Sequence, residues 1–399
     1  MENHVRYRGY VYVPMSRASA YAHTEGVISS SDLTPGGLTG RAAETAAIRR
    51  ALARSRLVTV TGLPGVGKTA ASIAAAMGVN GCFLDGVALI RLDTLQDEAL
   101  LPHTIAAAML LPDTFGASQL SALTEQLEDK RMLLVLDTCE HLLGACATIA
   151  SAVTEQCPGI RVLATSREPL RVPGEDAIAI RPLPVPDAIR LLGQPASRRS
   201  GRRDGRREAK RDGQREGQRD GQREGHQPKR AATARAVCDR LDGLPLALGM
   251  AAHQLALGPL DALLTGLDGG YEFLSDPSAP VARHRTLHAA IGWSHQLCTP
   301  AERLLWARLA VFDGPFSVKD CLEVCVTTHL SDETVAVGVT MLADRSLLLS
   351  EAGEPARYVM PRVIRAYGLG MLRRLAEDEE MAGRYRRWRS GPRRDEVWS

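Results

Sequence analysis

Residues 62–69 read Gly-Leu-Pro-Gly-Val-Gly-Lys-Thr and match the phosphate-binding pattern G-x-x-x-x-G-K-[ST] at every fixed position. The preceding residues, 57–61, are rich in β-branched side chains, and residues 70–77 are rich in alanine and favour a helix. A strand, a glycine turn and a helix start therefore coincide. A phosphate requires this geometry, because glycines let the backbone approach the anion and the helix N-terminus attracts it.

Polar side chains that suit a nucleotide and its metal lie at the end of this loop and further along the chain. Lys68 is placed to neutralise terminal phosphates, and Thr69 is placed to put its hydroxyl on Mg²⁺. Residues 133–137, Leu-Leu-Val-Leu-Asp, have the form of a buried strand that delivers a carboxylate beside the phosphates. We therefore predict a Mg²⁺ site that includes Thr69 and Asp137.

Two further charged residues are candidates for chemistry at the same place. Glu140 either orients an attacking water or is a solvated side chain, and the pattern favours neither. Arg167 closes the next predicted strand, where an arginine can reach a γ-phosphate or form a surface salt bridge. Lys68, Asp137, Glu140 and Arg167 form the predicted catalytic set.

Strand and helix patterns alternate on both sides of these residues and predict an α/β fold. The strands lack alternating polarity, which indicates a parallel sheet covered by helices on both faces. Beyond residue 230 the chain reads as short helices, including one that starts at Thr299-Pro300-Ala301-Glu302 with capping-box residues. Two strands at 346–349 and 357–360 then suggest a winged helix. The predicted segments are an irregular leader (1–37), the P-loop domain (38–192), a disordered Arg/Gly-rich insert (193–230), a helical domain (231–282), a winged-helix domain (283–375) and a basic tail (376–399).

The net charge of +3 is unevenly distributed. Residues 197–230 contain thirteen Lys/Arg and six Asp/Glu, so the rest of the chain is mildly acidic and has no electrostatic footprint for nucleic acid. No run of about 18 uncharged apolar residues or apolar signal-peptide core is present, so we expect a cytoplasmic protein without a membrane partner. The eight cysteines contain no C-x-x-C pair, and buried reduced thiols are the simplest interpretation.

Several motifs, in this order, resemble the NB-ARC branch of the STAND signalling ATPases. They are the glycine loop, Leu-Val-Leu-Asp-Thr-Cys-Glu-His at 134–141, Ala-Thr-Ser-Arg-Glu-Pro-Leu-Arg at 164–171 and Asp-Gly-Leu-Pro-Leu-Ala-Leu at 242–248. More narrowly, the chain resembles the ATPase core of large bacterial ATP-binding regulators of LuxR type. Their superhelical repeats and helix-turn-helix would lie beyond residue 399. The predicted winged helix has no dense basic face outside the tail, so we do not expect this chain alone to bind DNA.

The resemblance implies an ATP/ADP switch with Mg²⁺, in which ADP holds a closed form and ATP permits self-assembly. Hydrolysis is expected to be slow at most. Gly40 and Arg41 would contact the adenine side, and Pro245 would close over the base. The implied phosphate contacts are Gly62, Pro64, Gly65, Val66, Gly67, Lys68 and Thr69. Where NB-ARC proteins place a Met-His-Asp contact to ADP, this chain reads Met360-Pro361-Arg362.

Two alternatives to a regulatory switch remain at this point. One is a P-loop enzyme such as a small-molecule kinase, although no pocket signature for a second substrate is visible in the sequence. The other is a truncated, non-catalytic ADP-binding scaffold.

Overall fold

The computed structural model describes residues 10–13, 38–109, 111, 119–194, 227–279, 281–351, 353 and 356–391. Most of the predicted leader, most of the predicted insert and residues 392–399 lie outside the described residues. The chain divides into two compact units. The first comprises the described residues up to Arg190, except the loop tip Leu63–Gly65, together with Gln194; the second comprises Leu63–Gly65, Leu191–Gly193 and the described residues from Gln227 onward.

A six-stranded sheet forms the centre of the first unit. Its strands are β1 (Tyr10–Val13), β2 (Leu57–Thr61), β3 (Val87–Arg91), β4 (Leu133–Asp137), β5 (Arg161–Thr165) and β6 (Glu175–Ala179). The helices of this region are α1 (Ala42–Arg54), α2 (Lys68–Val79), α3 (Leu101–Ala108), α4 (Gln119–Leu127), α5 (Leu143–Gln156) and α6 (Val185–Leu192).

The strand order, β1-β3-β4-β5-β2-β6, determines which residues can meet. The pairs β3–β4, β4–β5, β5–β2 and β2–β6 are all parallel, which confirms the predicted α/β fold with a parallel sheet. Strands β2 and β4 are buried along their whole length, as expected when both faces of a sheet are covered. Because parallel strands end at the same edge, the segments that follow β2, β4 and β5 lie side by side at what we call the phosphate edge.

The prediction that residues 1–37 are irregular is wrong for Tyr10–Val13. This segment forms the edge strand β1 and pairs antiparallel with β3, with Val11 opposite Leu89. Its sequence, Tyr-Val-Tyr-Val, consists only of aromatic and β-branched residues, which favour a strand. The signal was present but was obscured by the polar residues around it.

The second unit is mostly helical. Its helices are α7 (Gln227–Arg240), α8 (Pro245–Gln254), α9 (Leu260–Gly269), α10 (Leu287–Gln296), α11 (Pro300–Leu309), α12 (Val318–Cys325), α13 (Asp332–Asp344), α14 (Arg362–Arg374) and α15 (Asp378–Ser390). Helix α7 begins at Gln227, inside the predicted insert (193–230), so the predicted end of the insert lies too far along the chain. Three short antiparallel strands, β7 (Phe316–Ser317), β8 (Leu349–Glu351) and β9 (Arg357–Val359), pair in the order β7-β9-β8.

The predicted capping box at the start of α11 is confirmed. The Thr299 hydroxyl accepts a hydrogen bond from the Glu302 backbone N–H at 3.3 Å, and the Thr299 N–H donates to Glu302 Oε2 at 2.7 Å. Ser317 and Asp320 form a second capping box at the start of α12, which the sequence reading did not identify. Two orphan N–H groups are satisfied in each box, so both helix starts are determined locally.

The prediction that residues 376–399 are a tail is wrong for Asp378–Ser390, because these residues form α15 and pack against aromatic side chains of the second unit. Phe312 lies 4.7 Å from Phe316 and 5.3 Å from Trp388 between ring centroids, and Tyr385 stacks on Trp388 at 5.4 Å. Met381, Tyr385 and Trp388 have the spacing of one helical face, which the abundance of arginine concealed. In the part of the chain that the structure describes, no helix is long and apolar enough to cross a membrane.

Candidate nucleotide-binding site

The glycines of the loop adopt backbone conformations that other residues rarely adopt. Gly62, Gly65 and Gly67 have φ values of 142°, 74° and 94°. A Cβ atom on Gly62 would lie 2.5 Å from the Ile180 carbonyl oxygen, so only glycine fits there. Gly67 precedes the first turn of α2 in the left-handed conformation, and the N-terminus of that helix therefore opens directly onto the loop.

Lys68, the first residue of α2, lies over this loop. Its Nζ donates to the Gly62 carbonyl oxygen at 2.9 Å, which places the ammonium group beside the backbone turn. The sequence prediction required this lysine to neutralise an anion bound by the loop. Its placement is consistent with that role, which stays a prediction.

Three separate segments meet at the carboxylate of Asp137. Its Oδ1 accepts hydrogen bonds from the hydroxyls of Thr69 at 2.6 Å and Thr165 at 2.7 Å. The Thr138 backbone N–H donates to the Thr165 hydroxyl at 2.8 Å. The start of α2 and the ends of β4 and β5 are therefore joined by one network. Sequence reasoning missed Thr165, although it precedes the predicted sensor arginine by only two positions.

Burial of Asp137 disfavours its charged form, whereas contacts with neighbouring groups favour that form. Burial raises the pKa of the Asp137 carboxyl, and the hydrogen bonds from Thr69 and Thr165 and the positive charge of Arg91 act in the opposite direction. The neighbouring charge of Glu140 raises the pKa further. A buried carboxylate that needs positive charge nearby is a suitable partner for a cation.

The donor set at this point fits Mg²⁺. Thr69 and Asp137 supply a hydroxyl and a carboxylate oxygen within hydrogen-bond distance of each other, and both are hard ligands. No group of three or more His, Cys, Asp or Glu able to hold a metal occurs among the described residues. A magnesium ion held by Thr69 and Asp137 would therefore complete its shell with water and phosphate oxygens, as this ion commonly does.

Glu140 and Arg167 lie at the same edge and contact each other. Arg167 Nε is 3.2 Å from Glu140 Oε1, and the side chains are 6% and 10% exposed. Glu140 is thus not a solvated side chain, and Arg167 does not form a surface salt bridge.

Arg41 binds the backbone of the glycine loop. Its guanidinium donates to the carbonyl oxygens of Val66 and Arg181, each at 2.8 Å, and to Glu44 Oε1 at 2.6 Å. The side chain is only 2% exposed. Gly40 has φ 71°, and a Cβ there would lie 2.6 Å from the Asp187 Cβ. Arg41 thus binds backbone carbonyl oxygens and Gly40 allows close packing against Asp187, while the predicted contact of both residues with adenine stays a prediction.

The remaining predicted contacts are on loops and helix starts. Pro64 and Gly65 form the tip of the glycine loop, and Pro245 is the first residue of α8. The role of Pro245 over the base also stays a prediction.

Asp242 is a further residue that sequence reasoning missed. It has φ 52°, and its Oδ2 accepts a hydrogen bond from the Val363 N–H at 2.9 Å, in the first turn of α14. Pro361, the residue before that helix, provides no side-chain cap. Burial raises the pKa of Asp242 to about 6, against the opposing effect of the backbone donors at Val363 and Arg362 and of the Arg362 charge. Asp242 therefore joins the Gly-Leu-Pro motif to the Met360-Pro361-Arg362 segment.

Comparisons with known proteins agree with this geometry. No protein-family model matches the chain. The Mycobacterium tuberculosis "Putative HTH-type transcriptional regulator Rv0890c" is 34% identical over 329 residues, which is 82% of this chain and 35% of that protein. The chain thus spans about a third of the length of this relative. "Uncharacterized protein Rv0894" of the same organism is 31% identical over 353 residues, covering 87% of this chain and 84% of that protein.

Among solved structures, the Walker-type ATPase paby2304 of Pyrococcus abyssi is similar in fold, with a TM-score of 0.51. It is 12% identical, and the match covers 83% of this chain and 96% of that one. The predicted P-loop ATPase fold is confirmed by this likeness and by the strand order. The chain has the P-loop ATPase fold and belongs to the family that includes the mycobacterial protein Rv0894 and the matched part of the regulator Rv0890c.

Proposed function

We propose that this chain is the nucleotide-dependent switch of a bacterial transcriptional regulator, a STAND-type ATPase module of the NB-ARC branch that acts in the cytoplasm. The observation that carries the proposal is the network at Asp137. There the start of the glycine-loop helix, through Thr69, and the ends of β4 and β5 converge on one carboxylate. Such a convergence of loop, hydroxyl and acid suits a nucleoside phosphate with Mg²⁺.

In this proposal each residue type has one task. Lys68 and the loop N–H groups bind the β- and γ-phosphates, while Thr69 and Asp137 hold Mg²⁺, which would neutralise phosphate charge. Glu140 accepts the proton of an attacking water, and Arg167 contacts the γ-phosphate. Hydrolysis is slow, and the bound nucleotide determines whether the chain is closed or free to assemble.

A regulatory task within a larger assembly is supported by the surface of α13. This helix follows α12 and precedes the β8–β9 pair, the position from which a winged helix would read DNA. Its residues include Asp332, Glu333 and Asp344 and no lysine or arginine, and Val337 is 56% exposed. A helix of this charge repels the phosphate backbone. We therefore assign the segment to protein contacts, with DNA binding left to another part of the regulator.

Calorimetric titration with ADP and with ATP, with and without Mg²⁺, tests the nucleotide site. We expect Lys68→Ala to abolish binding, because it removes the ammonium group that lies beside the loop. The protein should stay folded, because the backbone conformation of the loop depends on its glycines. Lys130→Ala, which removes a lysine from the turn before β4, is the matched control and should bind normally. A Lys68→Ala protein that binds ATP within about threefold of the wild-type affinity would refute the site.

Limited proteolysis tests the switch itself. Residues 270–285 connect α9 to α10, and we expect ADP to protect them more than ATP does if the nucleotide governs closure. Equal cleavage rates with ADP, with ATP and without nucleotide would leave a nucleotide-binding protein without a switch.

A further inference from the structure

Arg41, at the start of α1, makes side-chain hydrogen bonds to three segments of the first unit. Its Nη2 donates to the Val66 carbonyl oxygen in the glycine loop, and its Nη1 donates to the Arg181 carbonyl oxygen just after β6, both at 2.8 Å. Nη1 also donates to Glu44 Oε1 at 2.6 Å, in the first turn of α1. Since the Arg41 side chain is 2% exposed, water does not compete strongly for these bonds.

The bond from Arg41 to Val66 determines the direction of the peptide N–H that follows. In a planar trans peptide, the C=O of one residue and the N–H of the next point in opposite directions. Because the Val66 C=O points at the guanidinium, the Gly67 N–H points away from it. Gly67 directly precedes α2, so its N–H belongs to the part of the loop where a phosphate would bind.

The loop needs such a restraint because it is rich in glycine. Gly65 and Gly67 flank Val66, and glycine samples many backbone conformations. A rotation of the Val66–Gly67 peptide would turn a carbonyl oxygen, instead of an N–H group, toward a bound anion. The bond from Arg41 opposes that rotation, and the bond to Arg181 anchors the same guanidinium to the backbone after β6. A loop that is already ordered loses less entropy when it binds its ligand.

We propose that Arg41 is a positioning residue for phosphate binding, which holds the Val66–Gly67 peptide with its N–H directed at the anion before the ligand binds. The inference rests on the proposed function, since it takes a nucleoside diphosphate or triphosphate as the ligand. This task differs from the adenine contact that the family resemblance implies for Arg41. It acts through the loop backbone alone, so it affects the phosphates of a ligand whether or not a base is attached.

The test compares ADP with inorganic pyrophosphate, which has two linked phosphates but no adenine or ribose. Both affinities are measured by calorimetry without Mg²⁺ on the full chain. Arg41→Met keeps an unbranched side chain and removes every donor of the guanidinium. We expect it to weaken the binding of both ligands about tenfold, by the same factor, because the loop N–H is no longer held in place.

A conservative variant gives a second measurement. Arg41→Lys retains the charge but replaces the planar fork that joins Val66 and Arg181, and the two side chains are not interchangeable at such a site. Its affinities should lie between those of the wild type and Arg41→Met, again with one common factor of at least about threefold for both ligands. If Arg41→Met does not fold, this variant alone tests the inference.

Arg161→Met is the matched control. Arg161 Nη1 donates to the Ser55 carbonyl oxygen at 2.7 Å, so this arginine also binds the backbone of a distant segment of the first unit. It is the first residue of β5 and lies at the end of the sheet opposite the phosphate edge. Arg161→Met should lower the unfolding temperature without changing the affinity for either ligand. The comparison separates a task at the site from a general loss of stability.

A loss confined to ADP, or clearly unequal losses for the two ligands, would overturn the inference, and so would unchanged affinities in the Arg41 variants. Wild-type protein that binds ADP but not pyrophosphate would also overturn it, because a loop held in its phosphate-binding form should not need the adenine. In each of these cases ADP binding would still support the nucleotide site. Failure of the wild-type protein to bind ADP or ATP would instead refute the proposed function and the inference with it.

Discussion

Replacing Asp242 with asparagine should remove a pH dependence from the stability of the second unit. Asp242 accepts the Val363 N–H at 2.9 Å in place of the side-chain cap that Pro361 lacks. Burial raises its pKa from 3.8 to about 6 in the folded state. Asparagine keeps an acceptor oxygen, tolerates the φ of 52° and carries no charge.

The sign of the effect follows from proton uptake. Above pH 6 the Asp242 carboxylate is charged in both states, and only the folded state bears the burial of that charge. As the pH falls through about 6, the folded state binds a proton that the unfolded chain does not bind until about pH 3.8, so stability rises. A pKa difference of about two units corresponds to at most about 3 kcal/mol.

Urea unfolding between pH 4.5 and 8, followed by tryptophan fluorescence, measures this directly. Residues 1–216 contain no tryptophan, and Trp293, Trp306 and Trp388 lie in the second unit, so the signal reports the part of the chain that contains Asp242. We expect Asp242→Asn to be more stable than the wild type at pH 8 and similar to it near pH 4.5. The comparison of the two proteins cancels other titrating groups, such as His295, whose pKa is lowered by burial.

Asp242→Ala separates the hydrogen bond from the charge. It removes both, and it should be less stable than Asp242→Asn by about 1–2 kcal/mol, from the missing cap and from alanine at positive φ. If the wild type and Asp242→Asn differ by the same amount at every pH, the charge is not buried as argued. If the alanine and asparagine variants are equally stable, the bond to Val363 does not contribute.

Four further substitutions have expected outcomes. Glu377→Ala leaves Arg308, which is 1% exposed, without two carboxylate bonds of 2.8 and 3.0 Å, so urea unfolding should show a loss of about 3 kcal/mol; a loss below about 1 kcal/mol would contradict this. Because hydrogen bonding to Arg308 lowers the pKa of Glu377 in the folded state, the pair contributes fully above about pH 4.5, and this contribution is lost as the pH falls from there through the lowered pKa. Thr299→Ala removes the cap of α11 and should lower stability by about 1 kcal/mol in the same assay, whereas an unchanged midpoint would mean that the cap is dispensable. Gly67→Ala places a Cβ at φ 94° and should weaken ADP binding about tenfold in calorimetry, unless the loop can change shape. Asp137→Asn should weaken Mg²⁺-ATP binding far more than Mg²⁺-free ADP binding, and equal losses would indicate a purely structural carboxylate.

Features that depend on neighbours in the chain could be read from the sequence. The glycine loop between β2 and α2 needs positive φ at residues spaced a few positions apart, and only glycine meets that need readily. The capping box at Thr299 depends on residues three positions apart. The aromatic face of α15 also depends on residues three and four positions apart, but the sequence analysis did not identify it because arginine dominates the composition of that segment.

The site itself depended on contacts between distant segments. The sequence placed Asp137 and Arg167 at strand ends, but only the strand order put β5 between β2 and β4 and so brought Thr165 onto Asp137. The same order pairs Arg167 with Glu140. Periodicity reports which face of a strand is buried and carries no information on which strand lies beside it.

The sequence by itself therefore determined the phosphate loop, its helix and the α/β class, because each follows from local backbone preference and hydrophobic pattern. Tertiary structure alone decided that Arg41 binds the loop backbone, that Glu140 pairs with Arg167 and that Asp242 accepts a hydrogen bond from the first turn of α14. These contacts join residues separated by 25, 27 and 121 positions, and burial makes each of them selective, because a charge removed from water is stable only beside its partner.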